Sequence, residues 1–190
     1  MIRAACLFSL LALTTPLTHA APLSYRIVSD RTAIDLSWYA FGHQFSQAHL
    51  QGVTGELRLN PAEDRDDVIR VTIPLATLVA SNALLTWQLK SNLFFDAQRY
   101  PTIAFVSSRV VSLGEGKFRI FGMLTVKAVS RPVVMLASLD GGQALQPASP
   151  QLTLHAATFI SRTAFGVDRL VSVVDDRVDI ALTIAARATP

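Results

Sequence analysis

The chain has 190 residues, of which 51% are hydrophobic and 16% charged, and its formal net charge is +3. This length suits one domain with a sizeable core, and the small, dispersed positive charge argues against a nucleic-acid-binding protein. Cys6 is the only cysteine, so the chain forms no internal disulfide and burial has to stabilise it.

The first 20 residues have the pattern of a secretory signal peptide. Arg3 supplies a positive start, residues 7–13 form a short apolar run, and Thr18-His19-Ala20 resembles a cleavage signal. The apolar run is too short to span a bilayer as a stable helix, although a retained anchor is the alternative interpretation. We therefore expect residues 1–20 to be removed on export to the periplasm and residues 21–190 to form the folded domain.

The rest of the chain is dominated by the two-residue period of β-strands. Alternating apolar rows begin at Ile34, Val53, Phe118 and Val178. The stretches 103–111 and 133–139 are apolar in both phases, which predicts strands covered on both faces by a helix, a loop or a second subunit. Turn signals such as Gly114-Glu115-Gly116 separate the strands. About eight consecutive strands with little helix predict one antiparallel all-β domain, either a sandwich or a barrel.

One segment, residues 81–101, breaks this pattern. Ser81 or Asn82 can cap a helix, and Pro101 prevents that helix from continuing. Apolar residues recur within it at helical spacing, with Leu85, Leu89 and Leu93 in one row and Trp87 close to Phe94. Because so apolar a helix has to be covered, we expect it to lie across an end or flank of the barrel and to close the interior from water.

Three segments of the chain resemble the YceI family of secreted bacterial proteins, which have a lipocalin-like antiparallel barrel and bind polyisoprenoid lipids. They are LKSNLFFDAQRYPTIAF at 89–105, GMLTVKAVSRPV at 122–133 and ISRTAFGV at 160–167. The resemblance covers roughly residues 23–186 and implies an eight-stranded barrel with one short helix. Where the family often has a histidine, an Arg-Asp-x-His series and a glycine, this chain has Ala40, Leu85, Thr86, Gln88 and Ala128.

The apolar rows and the resemblance together predict a binding function without catalysis. An eight-stranded barrel either is filled by side chains or holds one small ligand, and each buried CH₂ group of a ligand contributes roughly 0.8 kcal/mol. We expect the interior to hold a polyisoprenoid or similar long-chain lipid. The predicted cavity residues are Leu36, Trp38, Ala40, Leu89, Phe94, Phe105, Phe118, Ile120, Leu124, Ile180 and Leu182. Arg99, Tyr100 and Arg162 are the candidates for a head group at the mouth.

A filled core is the alternative to a hollow barrel. The same side chains would then pack solidly, and Arg162 would form a structural pair with Asp168 or Asp96. The protein would act as a structural or interaction module of the cell envelope, as a homodimer or as the partner of an inner-membrane redox protein.

The sequence has no motif for catalysis or for a cofactor. No nucleophile elbow, phosphate loop or dinucleotide fingerprint is present. His43, His49 and His155 are scattered, without cysteine or carboxylate at the spacing of metal ligands. We therefore expect neither a metal nor a cofactor.

Overall fold

The computed structural model describes residues 23–60, 67–142 and 149–189. In this part of the chain, eleven strands form one antiparallel sheet, with one α-helix, α1 (Ala83–Lys90). The strands are β1 Leu23–Ile27, β2 Ala33–Ala40, β3 Gln44–Leu50, β4 Thr54–Leu59, β5 Val68–Pro74, β6 Val79–Ala80, β7 Thr102–Gly114, β8 Lys117–Val126, β9 Val129–Leu139, β10 Gln151–Ser161 and β11 Arg177–Ala188. Residues 1–20 lie outside this part, so the signal peptide stays a prediction.

The eleven strands form eight barrel strands, because β1 with β2, β3 with β4, and β5 with β6 are each two halves of one barrel strand. Both β1 and β2 pair with β11, through Tyr25↔Ala188 and Ile34↔Leu182. On the other side, β1 pairs with β4 and β2 pairs with β3. In turn, β4 pairs with β5 and β3 pairs with β6. The pairing of β1 with β11 closes the sheet, and closure leaves few free strand edges. The predicted antiparallel eight-stranded barrel with one short helix is confirmed.

Side-chain hydroxyls bridge the gaps in the three broken strands. In the first gap Thr32 Oγ1 accepts a hydrogen bond from Ala185 N at 3.1 Å. The Ser29 hydroxyl reaches across to Val53 O at 2.7 Å, and Thr77 Oγ1 donates to Gln51 O at 2.8 Å. These bonds satisfy backbone groups that the interrupted ladder leaves free. In the described part of the chain, every buried side-chain nitrogen or oxygen has a hydrogen-bond partner.

Alternation explains which side chains form the core. In β5, Ile69, Val71 and Ile73 are buried, whereas Arg70 and Thr72 between them are exposed. Such rows face inward from all the strands of the barrel. Their burial stabilises the fold by about 25 cal/mol for each Å² of apolar surface removed from water. The largest side chains with almost no exposure are Tyr25, Ile34, Leu50, Leu57, Leu75, Leu78 and Val53.

The strands that are apolar in both phases are covered on one face only. Val106 of β7 and Val134 and Leu136 of β9 point outward, and Leu136 is 57% exposed. The barrel has a single interior, and within the described residues no helix or loop lies over the outside of these strands. The expectation of a covering helix or loop is therefore wrong, while coverage by a second subunit stays a prediction.

The two ends of the barrel are built differently. The end near the turn at 114–116 is filled by buried side chains, including Tyr25, Val110 and Leu152. The other end carries α1, the β2–β3 turn and the loop 162–176, and it is called the helix end below. In the described ranges, no helix has the length and apolar character needed to cross a membrane.

Candidate functional site

The helix-end half of the barrel encloses an apolar cavity of about 190 Å³. Among the described residues that line it, only Gln88, Thr158, Arg162 and the indole of Trp38 offer polar side-chain groups. An apolar cavity of about 150 Å³ stays dry and takes up benzene. This cavity therefore favours an apolar ligand group of comparable or slightly larger size.

Most of the predicted cavity residues lie on its wall. They are Leu36, Trp38, Leu89, Phe94, Phe105, Ile120, Leu124, Ile180 and Leu182. Ala40 and Phe118 face the same way but lie beyond the two ends of the void. Ala40 forms a bridge with Val174 at the helix end, and Phe118 pairs with Ala137 in the filled half. Alternation identifies the inward face of a strand, but it does not identify the height at which the barrel is hollow.

Several lining residues were missed by the sequence analysis. Ile69, Val71 and Ile73 of β5, and Leu154 and Ala156 of β10, line the cavity. Both sets carry a readable signal, because they alternate with polar residues in VIRVTIP and LTLHA. A further set comes from the loop at the helix end and has no periodicity to reveal it: Phe165, Val167, Leu170 and Val174.

Helix α1 lies over the cavity as a lid. Its first turn is capped by Asn82, whose Oδ1 accepts a hydrogen bond from Leu85 N at 2.8 Å, one of the two capping residues predicted. Leu85 and Leu89 face the cavity. The helix is therefore covered on its cavity face by the barrel, as predicted, while the opposite face is exposed, with Trp87 66% accessible.

The segment after α1 departs from the predicted helical row. Ser91 takes an extended conformation with φ −68° and ψ 168°, so the helix ends at Lys90 and Leu93 lies outside it. Phe94 then turns into the cavity while Trp87 faces solvent, so the two are not the predicted neighbours on one helix face. Phe95 also lines the cavity. The Phe94-Phe95 pair therefore has both roles, since it packs between lid and barrel and also borders the void.

Arg162 lines the cavity, but its guanidinium is occupied by backbone carbonyls. The side chain is 6% exposed. It donates from Nε to Asp175 O, from Nη1 to Val167 O and Arg169 O, and from Nη2 to Val174 O, at 2.6 to 2.9 Å. These four bonds fasten the loop 162–176 to the barrel. The predicted roles of Arg162, as a head-group donor or as an ion pair with Asp168 or Asp96, are both replaced by this structural one.

The rest of the Arg-x-x-Phe-Gly segment has an equally local explanation. Phe165 is buried and lines the cavity. Gly166, with φ 70°, ends the short 3₁₀ turn in a left-handed conformation that favours glycine. The segment therefore places one aromatic side chain over the void and turns the chain back toward the barrel.

Arg99 and Tyr100, the other predicted mouth residues, lie outside the cavity lining. The Arg99 guanidinium stacks over the Tyr100 ring at 5.3 Å from its centroid. Tyr100 N donates to Asp96 O at 2.8 Å within the turn that leads to Pro101. Their described contacts stabilise this turn, so the prediction that they read a head group has no support from their position.

Gly122 of β8 sets the width of the cavity at one point. A Cβ atom at this position would lie 2.4 Å from Cζ of Phe105 and 2.5 Å from the oxygen of Val106. Real atoms do not approach so closely, so only glycine allows the Phe105 ring to lie against the neighbouring strand. Any larger residue pushes the ring into the void.

Three ionisable groups in the described part of the chain have shifted pKa values: Asp176 and Arg177 near the helix end and Tyr25 at the filled end, with the pKa of Arg177 raised by its hydrogen bonds to the Asp179 carboxylate. Hydrogen bonding from Ser161, followed by bonds from Thr163 and the charge of Arg162, lowers the pKa of Asp176 despite partial desolvation. The Thr163 N–H donates to Asp176 Oδ1 at 2.9 Å, which ties this carboxylate to the loop. At the filled end, burial raises the pKa of Tyr25, whose hydroxyl donates to Ser149 O at 3.2 Å.

A closed antiparallel barrel with an apolar cavity beneath a helix is a lipocalin-like barrel. The chain belongs to the YceI family: it matches the YceI-like domain over residues 25–186. A UPF0312 protein of Pseudomonas putida strain GB-1 is 26% identical over 165 residues, covering 84% of this chain and 86% of the relative. A UPF0312 protein of Photorhabdus laumondii is 37% identical over 82 residues, 43% of this chain and 41% of that protein. The predicted family is confirmed.

Solved structures share the fold at low sequence identity. BcnA of Burkholderia cenocepacia superposes with a TM-score of 0.73 at 21% identity, covering 84% of this chain and 98% of BcnA. A polyisoprenoid-binding domain from Saccharophagus degradans, implicated in plant cell wall breakdown, gives 0.67 at 10% identity, with 88% and 99% covered. A Campylobacter jejuni YceI protein gives 0.63 at 18% identity, with 75% and 85% covered.

Proposed function

We propose that this protein is an exported, periplasmic carrier that holds the apolar tail of a polyisoprenoid or similar long-chain lipid and catalyses no reaction. The observation that carries the proposal is the cavity of about 190 Å³, which is walled by aliphatic and aromatic side chains and covered by α1. The family and the fold shared with the polyisoprenoid-binding domain of S. degradans support it.

The polar groups of the described lining suit binding better than chemistry. Thr158 donates its hydroxyl to Val134 O at 2.8 Å, and Arg162 is occupied by carbonyls. Neither they nor Gln88 make an acid–base pair, which a hydrolytic or transfer reaction needs. Burial of apolar groups at roughly 0.8 kcal/mol for each CH₂ is the interaction that this wall supplies.

The size of the cavity limits what the closed protein holds. A space comparable to one that takes benzene admits only part of a long tail. A full polyisoprenoid therefore requires α1 and the segment with Phe94 and Phe95 to move away from the barrel. Selectivity then concerns the girth and length of the tail, because the wall offers a head group few free donors.

Native mass spectrometry tests the proposal with farnesol, geranylgeraniol and a long polyprenol added in detergent. Ala156→Trp fills the cavity, since Ala156 is buried and lines it. Ala157→Trp is the matched control, because Ala157 is the next residue of β10 and is exposed on the outer face. We expect prenol adducts on the wild type and on Ala157→Trp, and at least a tenfold loss of affinity for Ala156→Trp.

Circular dichroism shows whether both variants are folded, since overpacking costs typically 1–3 kcal/mol. Absence of any prenol adduct on the wild type, or equal affinity of the two tryptophan variants, contradicts binding in the cavity. Fractionation of a bacterial culture that expresses the full chain tests the periplasmic location separately. Retention in the cytosol contradicts export.

Self-association is a second candidate, favoured by the exposed stripe on β7, β8 and β9. Val106 pairs with Met123, and the neighbouring outward residues Val134 and Leu136 extend the same surface. A homodimer would cover these side chains. Sedimentation velocity of the wild type and of Leu136→Glu tests this: we expect a dimer that the charge dissociates, and a monomeric wild type contradicts it. The predicted inner-membrane redox partner stays a prediction.

A further inference from the structure

At the helix end of the barrel, the β2–β3 hairpin and the loop 162–176 carry five exposed apolar side chains, which are called the rim. Tyr39, Phe41 and Phe45 belong to the β2–β3 hairpin, and Leu170 and Val171 to the loop 162–176. Phe41 N donates to Val173 O at 2.6 Å, which joins the hairpin to the loop. Leu170 is exposed and also lines the cavity, so the rim is continuous with the cavity wall.

Two members of the rim have backbones that their residue types disfavour. Phe41 has φ 53° and precedes Gly42 at φ 77° in a tight turn closed by His43 N and Ala40 O at 3.3 Å. Asparagine is favoured at the first of these positions, because a Cβ is unfavourable in the left-handed conformation. Leu170 is also left-handed, with φ 58°.

The exposed side chains bring little packing in return for this backbone strain. Phe41 is 62% exposed, and Phe45 packs edge-to-face on Tyr39 at 5.6 Å while both stay about half exposed. Strain retained at an exposed position is a sign of function rather than of folding stability. The strain and the exposure therefore point to a partner that covers the rim.

The size and charge of the rim indicate what that partner is. The three half-exposed aromatic rings offer about 300 Å², at roughly 100 Å² each, and Leu170 and Val171 add less than this, so the rim falls short of the roughly 800 Å² per partner of a stable protein interface. The charges in and beside the loop nearly balance, with Asp168, Asp175 and Asp176 against Arg162, Arg169, Lys127 and Arg131. Lys127 and Arg131 lie beside the loop, since they donate to Gly166 O and Ala164 O.

We infer that the rim inserts into the interface of a lipid bilayer and holds the cavity mouth against it. Tyrosine prefers this depth, where its ring meets both apolar chains and polar head groups, and Phe and Leu side chains bury in the same layer when a protein lies on a membrane. Because the rim is continuous with the cavity, a lipid tail passes between bilayer and barrel without crossing water. This last step rests on the proposed carrier function, whereas docking itself needs no ligand in the cavity.

Flotation with vesicles tests docking, using phosphatidylcholine alone and phosphatidylethanolamine mixed with phosphatidylglycerol. The rim variant is Phe41→Asn with Phe45→Thr, which removes two aromatic rings outside the cavity lining and places asparagine where the turn favours it. The control is Val134→Thr with Leu136→Thr, which removes two exposed apolar side chains from the barrel wall.

We expect the wild type and the control to float with both vesicle types, and the rim variant to float at least tenfold less. Since apolar burial drives the docking, we expect little change between low and high salt. In detergent, the rim variant should bind prenols as the wild type does, which separates this test from that of the proposed function.

Three flotation results overturn the inference: the wild type does not float, the rim variant floats like the wild type, or high salt abolishes binding to anionic vesicles. If sedimentation velocity shows that the rim variant dissociates a wild-type dimer, a second copy of the chain covers the rim instead, and the bilayer assignment also fails.

Discussion

Ala128 occupies a backbone position that favours glycine. With Lys127 it forms the two-residue turn between β8 and β9, at φ 49° and 64°, next to the pair Val126↔Val129. A left-handed residue with a Cβ costs roughly 1–2 kcal/mol. Ala128→Gly should therefore raise the free energy of unfolding by about 1 kcal/mol, as measured by urea denaturation.

Ala157→Gly is the control for this substitution, since the same change in the extended strand β10 should lower stability by roughly 0.5–1 kcal/mol. A loss of stability in both variants contradicts the explanation from backbone strain.

Arg162 shows how one residue supports a whole loop. Lysine keeps the charge but lacks the planar fork that reaches four carbonyls, and a buried carbonyl without its donor costs about 1–3 kcal/mol. Arg162→Lys should destabilise the protein by about 2 kcal/mol or more in urea denaturation, and it should speed hydrogen exchange in residues 163–176. Arg131→Lys, which removes a single exposed bond to Ala164 O, should cost less than about 0.5 kcal/mol. Equal effects of the two substitutions would be evidence against the structural role of Arg162.

At the scale of secondary structure, α1 is a lid that hydrogen bonds fasten at both of its ends. Asn82 caps its first turn, and Lys90 Nζ donates to Ala76 O at 2.6 Å near its end. The exposed outer face adds little packing, so the helix has low local stability compared with the barrel strands. The lid is thus the element most able to open for a long ligand.

Asn82→Ala should loosen this lid without unfolding the barrel. Loss of the cap costs about 1 kcal/mol, which corresponds to roughly fivefold faster hydrogen exchange of the α1 amides. Exchange measured by mass spectrometry should show this change in α1 and not in β10 or β11. Asn92→Ala, just after the helix, is the control and should leave α1 unchanged. Uniformly faster exchange over the whole chain contradicts a local lid.

At the scale of the whole molecule, the two halves of the barrel have different tasks. The filled half holds the closing pairs of β1 with β4 and β11, and the hollow half lies under α1. Buried side chains fill the half that needs no ligand, so an apolar cavity in the other half is compatible with the fold. Tyr25 belongs to the filled half and reports on its integrity.

Burial of Tyr25 predicts how stability depends on alkaline pH. Its pKa in the folded protein lies above the ordinary value of 10.0, because burial disfavours the phenolate. Its contribution to stability is therefore complete below pH 10.0 and is lost as pH rises through the raised folded-state pKa. Urea denaturation between about pH 8 and about pH 11 should show a smaller loss for Tyr25→Phe than for the wild type. Equal losses contradict the assignment.

The sequence by itself determined the local features of this protein. The two-residue period predicted the strands and their inward faces, as in the row with Leu36 and Trp38, because side chains alternate across a strand wherever it lies. The pair Ser81 and Asn82 predicted the start of α1 to within one residue, since a cap is satisfied within one turn. The three family segments predicted the barrel.

Only the tertiary structure decided where the barrel is hollow and which polar groups are free. Phe118 and Ile120 lie two residues apart on one face, yet only Ile120 meets the void, because closure and the stagger between strands set the depth of each residue. Arg162 is occupied because the loop folds back and brings four carbonyls to it, and the bond from Phe41 N to Val173 O joins two distant segments at the rim. The void and the rim depend on contacts that are remote along the chain, whereas the bonds of Arg162 span 5 to 13 residues and depend on the path that the loop takes at the end of the barrel.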